Sequence, residues 1–199
     1  FLSSCIEIKE TLTVNKDGSG NICLEVDMGK ADKAFSQQNQ QGNILFVNEI
    51  QSTPEKADSL LRSCKGISNL KTNAGNKGLY SVSFDFKNSK SLNEALYKLF
   101  RQKKSAFRPD LVKVSKHKIR QMSFAPIIKK YAFRESSNMF SDLIYQMIKI
   151  ETVYELPSGM KTVSNIKAIT ENDSKKVILK YCLFELLNND FDYCITIKY

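Results

Sequence analysis

Apolar and polar side chains alternate along much of the N-terminal half. Ile6, Ile8, Leu12 and Val14 share one parity, the period of two that a half-buried strand requires. Asn15-Lys16-Asp17-Gly18-Ser19-Gly20-Asn21 then supplies turn chemistry, and Ile22, Leu24, Val26 and Met28 resume the alternation. Residues 6–28 are therefore expected to form a β-hairpin. A second hairpin is expected where Ile67 to Thr72 and Leu79 to Phe86 flank Asn73-Ala74-Gly75-Asn76-Lys77-Gly78, with Tyr80, Val82, Phe84 and Phe86 on one face. Residues 29–43 carry a glutamine-rich run with no apolar period and read as a surface loop or a poorly held helix.

Helical spacing appears between and after these hairpins. Thr53 as N-cap, Pro54 at the first helical position and Glu55 in the first turn predict a helix with Ala57, Leu60, Leu61 and Cys64 on one face, ended by Gly66. Ser91-Leu92-Asn93-Glu94 reads as a capping box opening a second helix through Ala95, Leu96, Leu99 and Phe100. Leu111 to Phe124 is extended in pattern, and Ser137 is placed to cap a third helix carrying Phe140, Leu143, Ile144, Met147 and Ile148. Val153 to Leu156, Lys161 to Thr170, Lys176 to Phe184 and Tyr193 to Tyr199 read as strands separated by turn residues. The expected fold is α+β: antiparallel β-hairpins and a C-terminal β-meander, with about three helices packed on the sheet.

Composition changes this picture little. A chain of 199 residues, 42% hydrophobic, with only 8 Gly and 4 Pro, has the length and apolar content for one folded domain, expected over 6–199. Its apolar runs, such as Ile44 to Val47, fall far short of the roughly 20 residues that span a bilayer. The five cysteines form no CxxC and no metal-ligand spacing with histidine, so neither a metal site nor a cofactor is expected. Cys182 and Cys194 lie on consecutive expected strands and are a candidate disulfide pair, with free buried thiols as the other reading.

Charge changes it more. From Lys98 to Arg134 the chain holds eight lysines and four arginines against the single acid Asp110, so this segment carries more than the whole net charge of +9. If Val112 to Arg120 is one strand, Lys116, Lys118 and Arg120 share a face, with Phe107, Phe124, Tyr131 and Phe133 interleaved nearby. Lys113, Lys116, Lys118, Arg120, Lys129 and Lys130 are the candidate contacts to an anionic ligand or membrane. A solvated face paired with the acidic remainder of the chain is the plainer alternative. The only histidine, His117, sits between Lys116 and Lys118 with no neighbouring carboxylate, a poor setting for a general base. The chain has neither a Gly-x-Ser-x-Gly elbow nor a phosphate-cradling glycine loop, so no enzyme is expected.

Phe1-Leu2-Ser3-Ser4-Cys5 resembles the end of a bacterial lipoprotein signal: apolar residue, small residues, then the cysteine that takes the lipid. Residues 1–5 are accordingly expected to be the remnant of a signal ending in a lipidated Cys5, each buried methylene of the lipid contributing about 0.8 kcal/mol to anchoring. Three further stretches, Leu12 to Met28 with its Asn15-Lys16-Asp17-Gly18 turn, Thr53-Pro54-Glu55-Lys56, and Val82 to Lys87 running into Leu92-Asn93-Glu94-Ala95-Leu96, make the chain similar to a lipoprotein family of Bacteroidota that has no assigned activity. The resemblance implies a lipid-anchored protein of the outer membrane or periplasm. Its expected partners are the membrane itself and anionic lipid, glycan or envelope protein. A basic nucleic-acid-binding protein of the cytoplasm is the alternative, which needs Cys5 unmodified.

Overall fold

The computed structural model describes residues 6–29, 32, 45–102, 109–132, 143, 145–188 and 193–199. Its elements run β1 (Glu7–Val14), β2 (Gly20–Asp27), α1 (Leu45–Leu61), β3 (Ile67–Asn76), β4 (Leu79–Phe86), α2 (Ser89–Leu99), β5 (Val112–Ser115), β6 (Lys118–Gln121), α3 (Ala125–Ala132), β7 (Lys149–Glu155), β8 (Thr162–Val163), β9 (Ile169–Glu171), β10 (Lys176–Cys182), α4 (Leu183–Leu187) and β11 (Ile195–Lys198). A seven-stranded sheet has the order β3-β4-β2-β1-β7-β10-β9, and a four-stranded sheet the order β5-β6-β11-β8. The class is α+β, as the hydrophobic pattern predicts.

Both N-terminal hairpins form. Glu7 to Val14 pair antiparallel with Asp27 to Gly20, and the turn between them is tied by Asp17, whose carboxylate accepts from the Ser19 amide at 3.0 Å and the Ser19 hydroxyl at 2.6 Å. Gly20 is required for packing, because a Cβ there would run into the Thr13 carbonyl oxygen and the Phe86 ring. The second hairpin is tighter than expected. β3 continues through Asn76, and the loop shrinks to Lys77 and Gly78, both at positive φ (57° and 81°), the backbone that matches strand twist in two-residue hairpins.

The helix starts differ from expectation. α1 begins at Leu45 and contains Pro54 in its interior, so Thr53 is not its N-cap. The first helical position, where a proline is best tolerated, lies well upstream, and Pro54 instead costs α1 one backbone hydrogen bond. α2 is capped one turn earlier than the Ser91 motif suggested. Asn88 is the N-cap, its side chain accepting from the Ser91 amide at 3.0 Å, while the Ser91 hydroxyl accepts from the Asn88 amide at 3.2 Å. The helix opened by Ser137 falls mostly outside the described residues. α3, opened by Ala125-Pro126, went unread because its apolar stretch is short.

The C-terminal strands do not form a meander. β7 lies between β1 and β10, parallel to the first and antiparallel to the second. β8 and β11 leave the large sheet and pair with each other in the small one, through Ile197 opposite Val163 and Lys198 opposite Thr162. Alternation of side chains marks a strand without naming its partner, and here the connections carry the chain from one sheet to the other.

One face of the large sheet is buried. Leu12, Val14, Ile22, Phe84 and Phe86 pack against Leu92 and Leu96 of α2 and against Val112, Ile119, Ile195 and Ile197 of the small sheet. α2 also holds the edge of that small sheet. The Asn93 side chain donates to the Val112 carbonyl (2.6 Å) and the Ser89 carbonyl (2.7 Å), and accepts from the amides of Leu111 (2.6 Å) and Val112 (3.1 Å). One turn away the Ser89 hydroxyl donates to the Val114 carbonyl (2.8 Å) and accepts from the Val114 amide (2.7 Å). These side chains supply the hydrogen bonds that a further strand would otherwise give to β5.

Candidate functional site

The basic segment folds as a hairpin, not as one strand. β5 and β6 are joined by Lys116 and His117, and their register sets Lys113 opposite Arg120 and Ser115 opposite Lys118. Lys118 and Arg120 share a face, as expected. Lys113, of the other parity in sequence, joins them because the two-residue turn folds its strand back onto the same surface. β11 adds Lys198, directly opposite Lys118, and Thr196 opposite Arg120. Val112, Val114, Ile119, Ile195 and Ile197 are buried behind this surface.

The electrostatics of the face are one-sided. The four strands of the small sheet contain no Asp or Glu. Among the described residues no salt bridge involves Lys113, Lys116, Lys118, Arg120 or Lys198. Lys118 and Lys198 stand as a cross-strand pair of like charge, an arrangement that costs stability. Sequence reading missed Lys198; the alternation of Ile195-Thr196-Ile197-Lys198 was visible, but its neighbour β6 was not.

Other expected contributors lie elsewhere. Lys129 is on α3 and not on a strand of the small sheet, and the side chain of Lys130 is outside the described residues. Phe124 turns inward and packs on Phe100 with ring centroids 5.6 Å apart, while Phe107, Phe133 and the side chain of Tyr131 are outside the described residues. His117 is exposed at the turn, where its carbonyl accepts from the Tyr199 amide. Cys5 also lies outside the described residues. Neither Cys182 nor Cys194 is in a disulfide: Cys182 ends β10 in the large sheet, whereas Cys194 leads into β11 in the small one. β10 and β11 are therefore not paired as expected, although the rings of Tyr181 and Tyr193, one residue before each cysteine, pack with centroids 4.4 Å apart.

A second feature was not anticipated. Glu10 occupies the inward-facing parity of β1, between Ile8 and Leu12, and only 6% of it is exposed. The alternation of residues 6–14 carries this signal as its single polar break on the apolar face. Gln121 Nε2, reaching across from the small sheet, donates to Glu10 Oε2 at 3.1 Å. Thr152 on β7 also hydrogen-bonds Glu10, and its hydroxyl lies 3.4 Å from that of Tyr181. Glu10 Oε1 and Gln121 Oε1 have no hydrogen-bond partner. Burial pushes the Glu10 carboxyl up to about 7, outweighing the two hydrogen bonds that favour its ionised form.

Glu10 lines a cavity of about 220 Å³. Ile8, Leu24, Val26, Val82 and Ile150 form its sheet side, while Pro54 of α1, Leu99 at the end of α2 and Ile127 of α3 stand across from them. The walls are almost wholly apolar. Among the described residues no group of three or more His, Cys, Asp or Glu is placed to hold a metal ion, and no helix is long and apolar enough to cross a membrane.

No family model matches the chain, and no curated protein matches its sequence. Among solved structures, the chain is similar to the NMR structure of the folded domain of LppM from Mycobacterium tuberculosis, with a TM-score of 0.43 and 9% identity, covering 100% of this chain and 92% of that one.

Proposed function

We propose that the protein is a binding module of the bacterial cell envelope, anchored by lipid on Cys5, whose small sheet lays its basic face on anionic lipid headgroups. The observation that carries this reading is the set Lys113, Lys118, Arg120 and Lys198 on one sheet face with no ion pair among the described residues and no carboxylate in its strands. Each such residue near an anionic membrane contributes about 1 kcal/mol, so four give roughly a thousandfold preference for anionic over neutral lipid. Membranes attract charge alone, whereas single-stranded nucleic acid is held by stacking rings as well. The outer positions of these strands offer Lys, Arg, Ser and Thr but no ring, and Phe124 is committed to the interior. The reading assigns no reaction to the protein.

Co-sedimentation with phosphatidylglycerol-containing vesicles is expected to exceed that with phosphatidylcholine alone and to weaken with salt. Lys118→Glu with Lys198→Glu is expected to reduce anionic binding at least tenfold. The pair Lys65→Glu and Lys77→Glu, which makes the same change in net charge on exposed positions elsewhere, is expected to reduce it far less. Equal loss in both pairs, or tighter binding to single-stranded oligonucleotide than to vesicles, would overturn the proposal. Metabolic labelling of the native protein with an alkyne fatty acid is expected to be lost in Cys5→Ser.

A further inference from the structure

We infer that the cavity beneath α1 and α3 is a binding site for a single long aliphatic chain bearing a hydrogen-bond donor, an alcohol or N–H group, that engages the carboxyl of Glu10. This site is separate from the basic face and does not depend on it.

Three observations converge on that ligand. The first is volume: 220 Å³ exceeds the ~150 Å³ in which an engineered apolar cavity admits benzene. The second is the wall. Leu24, Val26, Val82, Ile127 and Ile150 offer branched aliphatic surface, and the area an aliphatic chain would lose to water there is the main source of binding free energy. The third is Glu10. A carboxyl buried on the apolar face of a strand is costly unless its lone pairs are met, yet Oε1 has no partner and the side chain lines the cavity.

The polarity of that orphan selects the ligand's head. Gln121 Oε1 is an acceptor without a partner, and so is Glu10 Oε1 once the carboxyl ionises above about pH 7. Gln121 Nε2 gives one hydrogen to Glu10 Oε2, and none reaches Oε1. Of the two residues, only Glu10 lines the cavity, so one hydroxyl or N–H of the ligand would meet Glu10 Oε1 and leave Gln121 Oε1 as it is. Beside the ionised carboxyl a fatty-acid carboxylate would be a second anion and is disfavoured, and a plain hydrocarbon would leave the orphan unmet.

A thermodynamic cycle tests this with defined probes. Calorimetric titration compares 1-decanol with 1-methoxynonane, a chain of similar length whose oxygen has no proton to donate, on the protein and on Glu10→Leu. Decanol is expected to bind the unaltered protein at least tenfold more tightly than the ether, a preference that Glu10→Leu abolishes while leaving ether binding unchanged or stronger. Leu24→Trp, and independently Ile127→Trp on the opposite wall, are expected to remove binding of both probes. Equal affinity for the two probes in the unaltered protein overturns the role of Glu10. Binding that survives both tryptophan variants, in protein shown by circular dichroism to be folded, overturns the site itself.

Discussion

Asn93→Ala is expected to destabilise the native state by about 3–5 kcal/mol, read as a fall in the urea midpoint at unchanged slope. Asn93 is 6% exposed, and its amide makes four hydrogen bonds to backbone groups. Three of the groups it meets, the amides of Leu111 and Val112 and the carbonyl of Val112, lie at the start of β5 and in the residue just before it. Strand β5 ends the small sheet and pairs with β6, so no neighbouring strand can replace the lost partner. Each buried group left unmet costs about 1–3 kcal/mol, less whatever water recovers. Asn93→Asp separates geometry from chemistry: it keeps an acceptor for the two amides but forfeits the donor, and it buries a charge. It is expected to be no more stable than the alanine variant. A loss below about 1 kcal/mol in Asn93→Ala would show that β5 is held by its pairing to β6 alone. Because Lys113 rides on β5, loosening that strand is also expected to weaken attachment to anionic vesicles.

Asn93 shows why only part of this fold was legible in the sequence. Ser91-Leu92-Asn93-Glu94 announced a helix in the right place, yet the capping role belongs to Asn88, and Asn93 is committed to a strand 19 residues further on. Short-range signals succeeded wherever the partner was near in sequence. The β1–β2 and β3–β4 hairpins are examples, because turn chemistry fixes both the strands and their register. Pairings that join distant segments left no local trace. β7 carries the ordinary alternation of a strand, and nothing in it says that it lies parallel to β1, 142 residues away across Thr13 and Glu155. The basic face was legible as a cluster of charge but not as a surface, since Lys113 and Lys198 reach it through hairpin and sheet register. Glu10 was legible and overlooked: one acid at an apolar parity is a small departure within a strand, and its meaning depends on Gln121 from another sheet.

Raising the pH from 4.5 to 8 is expected to lower the stability contributed by Glu10 by about 3 kcal/mol, with most of the loss complete near pH 7. In the unfolded chain this carboxyl titrates at its ordinary 4.5, and burial raises it to about 7 in the fold. Between those values the native state holds a proton that the unfolded state has released. Stability therefore falls as pH rises, by about 1.4 kcal/mol for each unit of separation. Asp85 and Glu185 act in the opposite direction. Hydrogen bonds from Asn21 and Asn69 lower the first, and the Cys182 amide lowers the second, so their contribution is present above the ordinary carboxylate range and is lost as pH falls through it. The two trends oppose each other, so stability is greatest between the range where Asp85 and Glu185 take up protons and the range near pH 7 where Glu10 releases its own. Glu10→Gln preserves the shape of the side chain while removing its titration. The variant is expected to match the parent near pH 4.5, to exceed it at pH 8, and to lack the slope between. A parent whose urea midpoint is flat over this interval, or a slope that persists in the variant, would place the buried titration somewhere other than Glu10. Bound decanol is expected to diminish the slope, since a donor placed on Oε1 stabilises the ionised carboxyl and draws its value back toward 4.5.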